Sequence, residues 1–289
     1  MNQEQEDKGI LYLCATPIGN LEDMTFRAVR VLKEVDLIAC EDTRNSVKLL
    51  NHYEIKTAYT SYHEFNKYDK GRVLIEYLKA GKNIALISDA GMPGISDPGE
   101  ELVKMCIEEE ISVTVLPGAS AFVLAAVLSG FSTREFVYEG FLPKDKKEIK
   151  SLLEGLKDCT KTLIFYEAPH RLLKTLAVFY EYLGDRKIAL AKEITKRYET
   201  IKRTTLKEAL DFYKENPPRG EFVLVIEGAD KKVLEKEERQ KWETLSIEEH
   251  MEYYNSKGVN KKEAMKLVAK DRGISKREVY KLLLEKEEP

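Results

Sequence analysis

Hydrophobic residues along the first half of the chain alternate between short continuous runs and helical periodicity. Apolar runs at 10–15, 36–40, 83–88 and 111–116 are each followed by a polar loop and then by apolar residues at helical spacing. Four such strand-loop-helix repeats predict an α/β fold with an open, largely parallel sheet. Ligands bind such sheets outside the carboxyl ends of the strands, so we expect the intervening loops to form a site.

The pattern changes after residue 130. Strand-like runs at 135–139, 160–166, 186–191 and 220–227 alternate with helical patterns at 145–156, 170–183 and 205–215. We therefore predict two α/β domains, at 10–129 and 130–230, behind a flexible N-terminus at 1–9. Residues 231–289 are predicted to form a charged linker and a small helical domain, whose last two helices resemble a helix-turn-helix around Gly273.

Composition excludes several classes of protein. The 43% hydrophobic and 34% charged residues are typical of a water-soluble globular protein, and no apolar run reaches membrane-spanning length. The acidic N-terminus lacks a signal-peptide pattern, so we expect a cytoplasmic protein without a membrane partner. With a net charge of −3, any nucleic-acid surface must be local.

Common cofactor and metal motifs are missing from the sequence. It contains no GxxxxGK[ST] and no GxGxxG, so a nucleoside cofactor would have to be held by several separate loops. The four cysteines form no CxxC pair, and the four histidines show no ligand spacing. We expect buried reduced thiols and no metal.

The segment 89–99 is the most unusual loop. Its three glycines and two prolines fix a tight path that lets a ligand approach the backbone, although turn geometry alone would explain the same composition. Asp97 is expected to cap the next helix, with Pro98 at the first helical position.

Several segments together resemble one family. They are Thr16-Pro17-Ile18-Gly19-Asn20-Leu21, Glu41-Asp42-Thr43-Arg44, Ser88-Asp89-Ala90-Gly91, Leu116-Pro117-Gly118, Glu139-Gly140-Phe141-Leu142-Pro143, Phe165-Tyr166-Glu167 with His170-Arg171, and Gly220-Glu221. Over roughly residues 10 to 230 they resemble the ribosomal RNA small-subunit methyltransferase I family of the tetrapyrrole methylase superfamily.

The resemblance implies a fold and a reaction. It implies two αβα domains of tetrapyrrole-methylase type with S-adenosylmethionine, the methyl donor, in the cleft between them, and a homodimer. It further implies 2′-O-methylation of a cytidine ribose in the decoding region of 16S ribosomal RNA, within the small ribosomal subunit. The tail beyond residue 240 resembles the family less sharply.

Candidate site residues come from the loops that follow the strands. The residues expected to hold the donor are Gly19, Asn20, Asp89, Gly91, Met92, Gly118, Ser120, Ala121 and Tyr166. A ribose hydroxyl needs a general base. The candidates are Glu167, His170, Asp42 and Glu193, of which we rank Glu167 and His170 first. Two of these have structural alternatives, because Asp42 could cap the following helix and Glu193 could form an ion pair with a neighbouring lysine.

RNA binding needs cations for phosphates and groups that hold an unstacked base. The cationic candidates are Arg44, Arg171, Lys196 and Arg197, each of which could equally be an ordinary surface charge. His63 is an aromatic candidate for holding a base, with an ordinary core or surface ring as the alternative. Tyr62 and Phe65 could stack on a base or belong to the core or surface. The C-terminal helices are rich in lysine and arginine, but interspersed acids leave a merely solvated face as an alternative.

Two rival functions remain open from the sequence. A tetrapyrrole carbon methylase would use the same donor but needs a cleft for a polyanionic macrocycle, and gives the basic C-terminal helices no purpose. A noncatalytic sensor of S-adenosylmethionine would not need Glu167, His170 or Arg171.

Overall fold

The computed structural model describes residues 8–284, apart from the side chains of Glu237, Glu238, Lys241 and Glu243. The predicted flexible N-terminus therefore lies, up to residue 7, outside the described residues, as do residues 285–289 of the predicted C-terminal domain. The chain divides into a larger unit that ends at Glu227 and a smaller one made of Gly155–Thr160 and the residues from Gly228 onward.

The first sheet of the larger unit has five strands in the order β3-β2-β4-β1-β5, and every pair is parallel. Two clusters of buried residues cover its faces, one against α1 and α2 and one against α3 and α4. The predicted parallel α/β architecture is confirmed. The elements are β1 (Ile10–Cys14), α1 (Phe26–Glu34), β2 (Leu37–Cys40), α2 (Thr43–His52), β3 (Tyr59–Ser61), α3 (Lys67–Lys79), β4 (Ile84–Ile87), α4 (Gly99–Glu108) and β5 (Ser112–Leu116).

The second sheet has the order β6-β7-β10-β8-β9, and of its four hydrogen-bonded strand pairs only β6–β7 is parallel. Helix α5 packs on one face, whereas α7 and α8 pack on the other through ring contacts such as Phe165 with Phe179. The elements are α5 (Ala121–Ser129), β6 (Phe136–Phe141), α6 (Lys146–Leu156), β7 (Thr162–Glu167), α7 (Pro169–Leu183), β8 (Lys187–Lys192), β9 (Thr200–Thr205), α8 (Leu206–Glu215) and β10 (Phe222–Ile226).

The two sheets share residues across the predicted boundary near residue 130. Helix α5 precedes that boundary but packs on β7, β8, β9 and β10. Ile18, from the loop after β1, is buried in the same cluster as Ile164 and Val223 of the second sheet. Packing therefore groups α5 with the second sheet, and the two sheets form one compact unit.

Two strands were absent from the sequence-based prediction, and both are edge strands. β3 is only three residues long, and β9 reads Thr-Ile-Lys-Arg-Thr-Thr with no fully buried residue. Edge strands carry polar side chains because one of their sides faces water, so they lack the apolar run that marked the central strands.

The smaller unit contains four helices among the described residues, α9 (Lys231–Glu243), α10 (Ile247–Ser256), α11 (Lys261–Arg272) and α12 (Lys276–Leu284). Helices α10 to α12 share a core that includes Met251, Val268 and Val279. A three-residue turn that begins at Gly273, in the left-handed conformation, joins α11 to α12. This is the connection expected of a helix-turn-helix.

A buried polar group joins the helices of the smaller unit. His250 is fully buried and stacks on Trp242, with ring centroids 3.9 Å apart. Its Nδ1 accepts a hydrogen bond from Nε of Arg272, and its Nε2 lies 3.3 Å from Asp271. Burial, followed by the Arg272 charge, lowers the His250 pKa. The neutral imidazole thus satisfies both neighbours.

Three remaining features of the fold concern thiols, metals and membranes. Within residues 8–284, Cys14, Cys40 and Cys106 are free and buried, and burial raises the pKa of the Cys14 and Cys106 thiols to about 12. The described side chains form no group of His, Cys, Asp and Glu suited to a metal ion. No described helix is both long and apolar enough to cross a bilayer.

Candidate active site

A cleft of about 420 Å³ lies where the two sheets of the larger unit meet. Its walls come from the carboxyl ends of β2, β4, β6, β7 and β8, from the start of α5 and from the start of β10. Such a volume is within the usual range for small-molecule sites. The residues that line it include Ile18, Glu41, Ser88, Asp89, Gly91, Met92, Ile95, Ser96, Asp97, Ser120, Ala121, Phe141, Tyr166, Glu167, Glu193, Lys196, Glu221 and Phe222.

A two-residue bridge fastens the loops after β1 and β4 together. The Thr16 amide donates to the Gly91 carbonyl at 2.9 Å, and the Gly91 amide donates to the Thr16 carbonyl at 3.0 Å. The Thr16 hydroxyl also donates to the Ser88 carbonyl, and the Ser88 hydroxyl donates to the Gly91 carbonyl. Gly91 has φ +84°, a conformation that side chains disfavour. Bare backbone is thereby held against the cleft.

The loop between β4 and α4 reaches the second sheet. Ser96, at φ +61°, shares a 2.7 Å hydrogen bond with the Tyr138 hydroxyl on β6. One oxygen of Asp97 accepts the amides of Gly94 and Gly99. Helix α4 therefore begins at Gly99 and not at Pro98 as predicted, although the Asp97 carboxylate does cap its first amide.

The wall from the first sheet is acidic. Burial, reinforced by the nearby Asp89 carboxylate, raises the pKa of Glu41 above its ordinary value. Asp89 accepts the Asp42 amide with one oxygen and the Asn45 side chain with the other, both at 3.1 Å. In all, the cleft is lined by six carboxylates and by one ammonium group, that of Lys196.

Glu167 stands at the junction of β7 and α7 with a fully buried side chain. One oxygen accepts the Ala168 amide at 2.8 Å, and the other accepts the Thr175 hydroxyl. Arg171 lies 3.6 Å from Glu167 and donates to the Leu142 carbonyl after β6. Both oxygens of this carboxylate are thus engaged in holding the end of β6 and the start of α7.

Opposite the first-sheet loops, an ion-pair network closes the cleft. Lys196 Nζ lies 3.0 Å from Glu193 and 2.7 Å from Glu221. Burial alone would raise the Glu193 pKa, but the Glu221 amide and Lys196 outweigh it and lower the pKa. Glu193 and Thr195 both have positive φ, and the Lys196 side chain packs so closely on Gly19 that a Cβ there would meet it at 2.2 Å.

The predicted donor residues mostly gather at the cleft. Asp89, Gly91, Met92, Ser120, Ala121 and Tyr166 line it. Gly19 does not line the cleft itself but packs against the side chain of Lys196, which does. Gly118 packs on Ala15 so tightly that a Cβ on Gly118 would lie 2.6 Å from the Ala15 Cβ. Asn20 instead caps a short 3₁₀ helix, Leu21–Asp23.

The candidate bases are separated by the structure. Glu167 borders the cleft, but His170 is exposed on α7 and does not line it. Asp42 caps α2 by accepting the Arg44 amide at 2.8 Å, as its structural alternative predicted. The Arg44 guanidinium and that hydrogen bond lower the Asp42 pKa to about 2.

The candidate RNA-binding residues are spread over the larger unit. Arg44 and Arg197 are exposed, whereas Arg171 and Lys196 are engaged in the contacts described above. His63 is half-buried, with an Nδ1 that has no hydrogen-bond partner among the described residues. Tyr62 is buried in the core, so it cannot stack on a base, whereas the Phe65 side chain is 97% exposed.

Sequence reasoning missed several lining residues. Glu221 and Phe222 lie at the start of β10, which enters the cleft by its amino end because it runs antiparallel to its neighbours. A rule based on carboxyl ends of strands cannot find them. Ile95, Ser96 and Phe141 lie in segments that the sequence had singled out, but only the fold shows which of their side chains face the cleft.

Two joined α/β sheets around a loop-built cleft define a methylase of the tetrapyrrole type. The family model for tetrapyrrole (corrin/porphyrin) methylases matches residues 10–210. A uroporphyrin-III C-methyltransferase from Thermus thermophilus, solved in complex with S-adenyl homocysteine, has a TM-score of 0.56 at 17% identity, over 76% of this chain and 97% of that one. A cobalt precorrin-4 methyltransferase has a TM-score of 0.59 at 16% identity, over 78% and 97%.

Closer relatives narrow the family. The ribosomal RNA small subunit methyltransferase I of Bacillus subtilis is 54% identical over 96% of this chain and 94% of that protein. The protein of the same name from Synechocystis is 46% identical over 96% and 99%. The chain belongs to the ribosomal RNA small subunit methyltransferase I family, within the tetrapyrrole methylases.

Proposed function

We propose that the chain transfers a methyl group from S-adenosylmethionine to the ribose 2′-oxygen of a cytidine in the decoding region of 16S ribosomal RNA, in the small ribosomal subunit. The observation that carries this proposal is the match, over nearly the whole chain, to relatives named for ribosomal RNA methylation. The reaction would take place in the cleft between the two sheets.

The cleft residues fit a sulfonium donor. Six carboxylates against one lysine favour a ligand with positive charge, and the missing side chain of Gly91 leaves room for it against the backbone. Apolar groups such as Ile18, Ile95 and Tyr166 supply a surface for an adenine ring. When bound, the donor supplies an electrophilic methyl group for an in-line displacement.

The chain's own residues would then act by positioning. In-line transfer requires the accepting oxygen, the methyl carbon and the sulfur to be aligned, and rigid loops can supply several kcal/mol in this way. The Thr16–Gly91 bridge fixes one side and the Glu167 contacts fix the other. We therefore assign Glu167 a positioning role through Arg171 and the start of α7.

The acidic lining also bears on the acceptor. A polyanionic macrocycle would have to bring its carboxylates against Glu41 and Asp89, which is unfavourable. A neutral ribose and base can approach the same wall while the phosphates remain outside. This favours RNA over a tetrapyrrole.

The test uses purified chain and methyl-labelled donor with small ribosomal subunits, naked 16S RNA or uroporphyrinogen. Label is expected in the RNA, in a cytidine whose 3′ linkage resists alkali because the 2′-oxygen is blocked. Label on a base would contradict the ribose assignment, and label only in the macrocycle, or in no acceptor, would overturn the proposal. Protein inactivated by heat serves as the control.

A further inference from the structure

The last two helices of the smaller unit carry a strong local charge. Residues 261–284 contain eight Lys and Arg against three Asp and Glu, a net of +5, whereas the whole chain has a net charge of −3. The family model ends at residue 210, so these helices lie outside the matched methylase region. The methylase region that the family model matches therefore does not account for the positive charge of these helices.

Each acid within these helices is already engaged. Asp271 accepts the Tyr254 hydroxyl at 2.5 Å, the Glu278 side chain accepts the Ser275 amide at 2.7 Å, and Glu263 pairs with Lys266 at 3.0 Å. Asp271 and Glu278 keep their negative charge in these hydrogen bonds, which come from uncharged donors, so the three acids offset only part of the positive charge and leave the net of +5.

Several cations are free, by contrast. Arg272 points inward, to His250 and to the carbonyls of Leu245 and Ser246. Five others form no ion pair with any side chain that the structure describes. They are Lys261, Lys262, Lys270 and Arg277, which are exposed, and Lys276, which is half-buried.

The free cations follow the exposed faces of the two helices. Lys262 and Lys270 are separated by two successive i,i+4 steps on α11 and so lie on the same face of the helix. On α12, Arg277 shares a face with Tyr280, whose side chain is 55% exposed. Lys276 and Arg277 occupy the first turn of α12, where the helix dipole disfavours positive charge. Such placement contributes little to stability and suits a bound anion.

We propose that α11 and α12 form a docking surface for the phosphate backbone of ribosomal RNA, which they bind without reading the sequence. The inference rests on the proposed function, since an acidic methyl-donor cleft repels the RNA that it must modify. The major groove of A-form RNA is too deep and narrow for side chains to read, so contacts to the phosphate backbone are expected. Tyr280 would add a contact to a ribose.

The test measures binding of a fluorescein-labelled hairpin of small-subunit ribosomal RNA to the full chain over a range of salt concentrations. The variant is Lys270→Gln with Lys276→Gln and Arg277→Gln. The slope of log affinity against log salt should fall by about one for each phosphate that is no longer neutralised, roughly three in all. At low salt the affinity should fall roughly tenfold or more, and the KM for small subunits should rise while kcat and donor affinity stay unchanged.

Two further variants control for charge and folding. Lys56→Gln with Lys104→Gln and Lys207→Gln makes the same charge change at exposed positions of the larger unit and should leave the slope unchanged. Lys270→Arg with Lys276→Arg and Arg277→Lys keeps the charge and should bind as wild type.

An unchanged slope in the Gln variant, or an equal reduction in the larger-unit control, would overturn the inference. So would tighter binding of a DNA duplex of the same sequence. If the hairpin result holds but wild-type protein methylates no ribosomal RNA, the proposed function fails and the docking surface remains.

Discussion

The two sheets of the larger unit meet at one cleft but build their walls differently. In the first sheet all strands are parallel, so loops that follow β1, β2, β4 and β5 gather at one edge by topology alone. In the second, β10 runs against β7 and β8, and its first residue pairs with both Glu167 and Lys192. This wall combines strand ends with a strand beginning.

The electrostatics of the walls differ in the same way. On the first sheet, burial and neighbouring carboxylates raise the pKa of Glu41. On the second, Glu193 is held by the Glu221 amide and by Lys196, which lower its pKa despite burial. No cation among the lining residues pairs with Glu41 or Asp89 of the first wall, whereas on the second wall Lys196 offsets part of the charge of Glu193 and Glu221.

The largest effect is expected where the first wall depends on backbone geometry. Gly91→Val places a branched side chain at φ +84° and only 3.3 Å from Ile18, which should break the bridge to Thr16. Strain of about 1–3 kcal/mol, together with displacement of the loop, should weaken donor binding by roughly 100-fold in calorimetry.

Gly130→Val is the matched control for this change. Gly130 has φ +78°, but nothing lies within 4 Å of an added Cβ and the residue does not line the cleft. The strain should lower stability while donor affinity stays as in wild type. An equal decrease of affinity in both variants would mean that Gly91 matters only for folding.

The second wall depends on the buried side chain of Glu167, so removing that side chain should lower the stability of the protein. Glu167→Ala leaves the Ala168 amide, the Thr175 hydroxyl and Arg171 without their acceptor. We expect the free energy of unfolding to fall by about 2–4 kcal/mol in urea titrations followed by circular dichroism. Glu181→Ala, at an exposed position of the same helix, should change stability little.

Glu167→Gln separates positioning from base catalysis. The amide retains an acceptor for Ala168 and a donor toward Thr175, so kcat should fall only severalfold and the pH profile should keep its shape. A decrease of about 100-fold or more with disappearance of the acid limb would instead identify Glu167 as the general base.

The strands and site loops of the first sheet were easier to predict from the sequence than those of the second, for a physical reason. A parallel sheet buries both faces, so its central strands are apolar runs and its loops fall on a known edge. The cleft residues Asp89, Gly91 and Ser120 were found in this way. Glu221 was quoted only as part of the family resemblance and not as a site residue, because its position at the cleft depends on an antiparallel pairing that no local pattern encodes.

Candidate bases illustrate a different limit. Asp42 and Glu167 both follow strands, and composition alone cannot tell a free carboxylate from one that caps a helix or is engaged by its neighbours. The edge strands β3 and β9 were not predicted because they lack the apolar run that marks a buried strand. Pairing and capping partners are properties of the fold.

A smaller effect should follow from the raised pKa of Glu41. A cationic donor favours the ionised carboxylate, so donor affinity should be full above the raised pKa and fall as the pH drops through it. One neighbouring charge near a wet surface is worth about 1 kcal/mol, or roughly fivefold in affinity. Calorimetry between about pH 7 and about pH 4.5, a range that spans the ordinary glutamate pKa and values above it, should show this decline, with proton release on binding.

The control for this pH dependence is Glu41→Gln, which should bind more weakly at neutral pH and no longer show the decline attributable to this group. Glu108→Gln, at an exposed position on α4, should retain the wild-type profile. If donor affinity in the Glu41→Gln variant still falls with pH as in wild type, another group titrates, and the proposed electrostatic difference between the two walls is wrong.

The smallest effect is expected at Asp42, which lies on the first sheet but outside the cleft. Asp42→Ala removes the acceptor for the Arg44 amide at the start of α2 and should lower the melting temperature by about 2–4 °C. Asp42→Asn keeps a good cap but removes the basic carboxylate, so it should melt near wild type. With a capping role, kcat stays within about twofold in both variants. If kcat falls by about 100-fold in both, the base belongs to the first wall, and the division between a donor wall and a positioning wall is wrong.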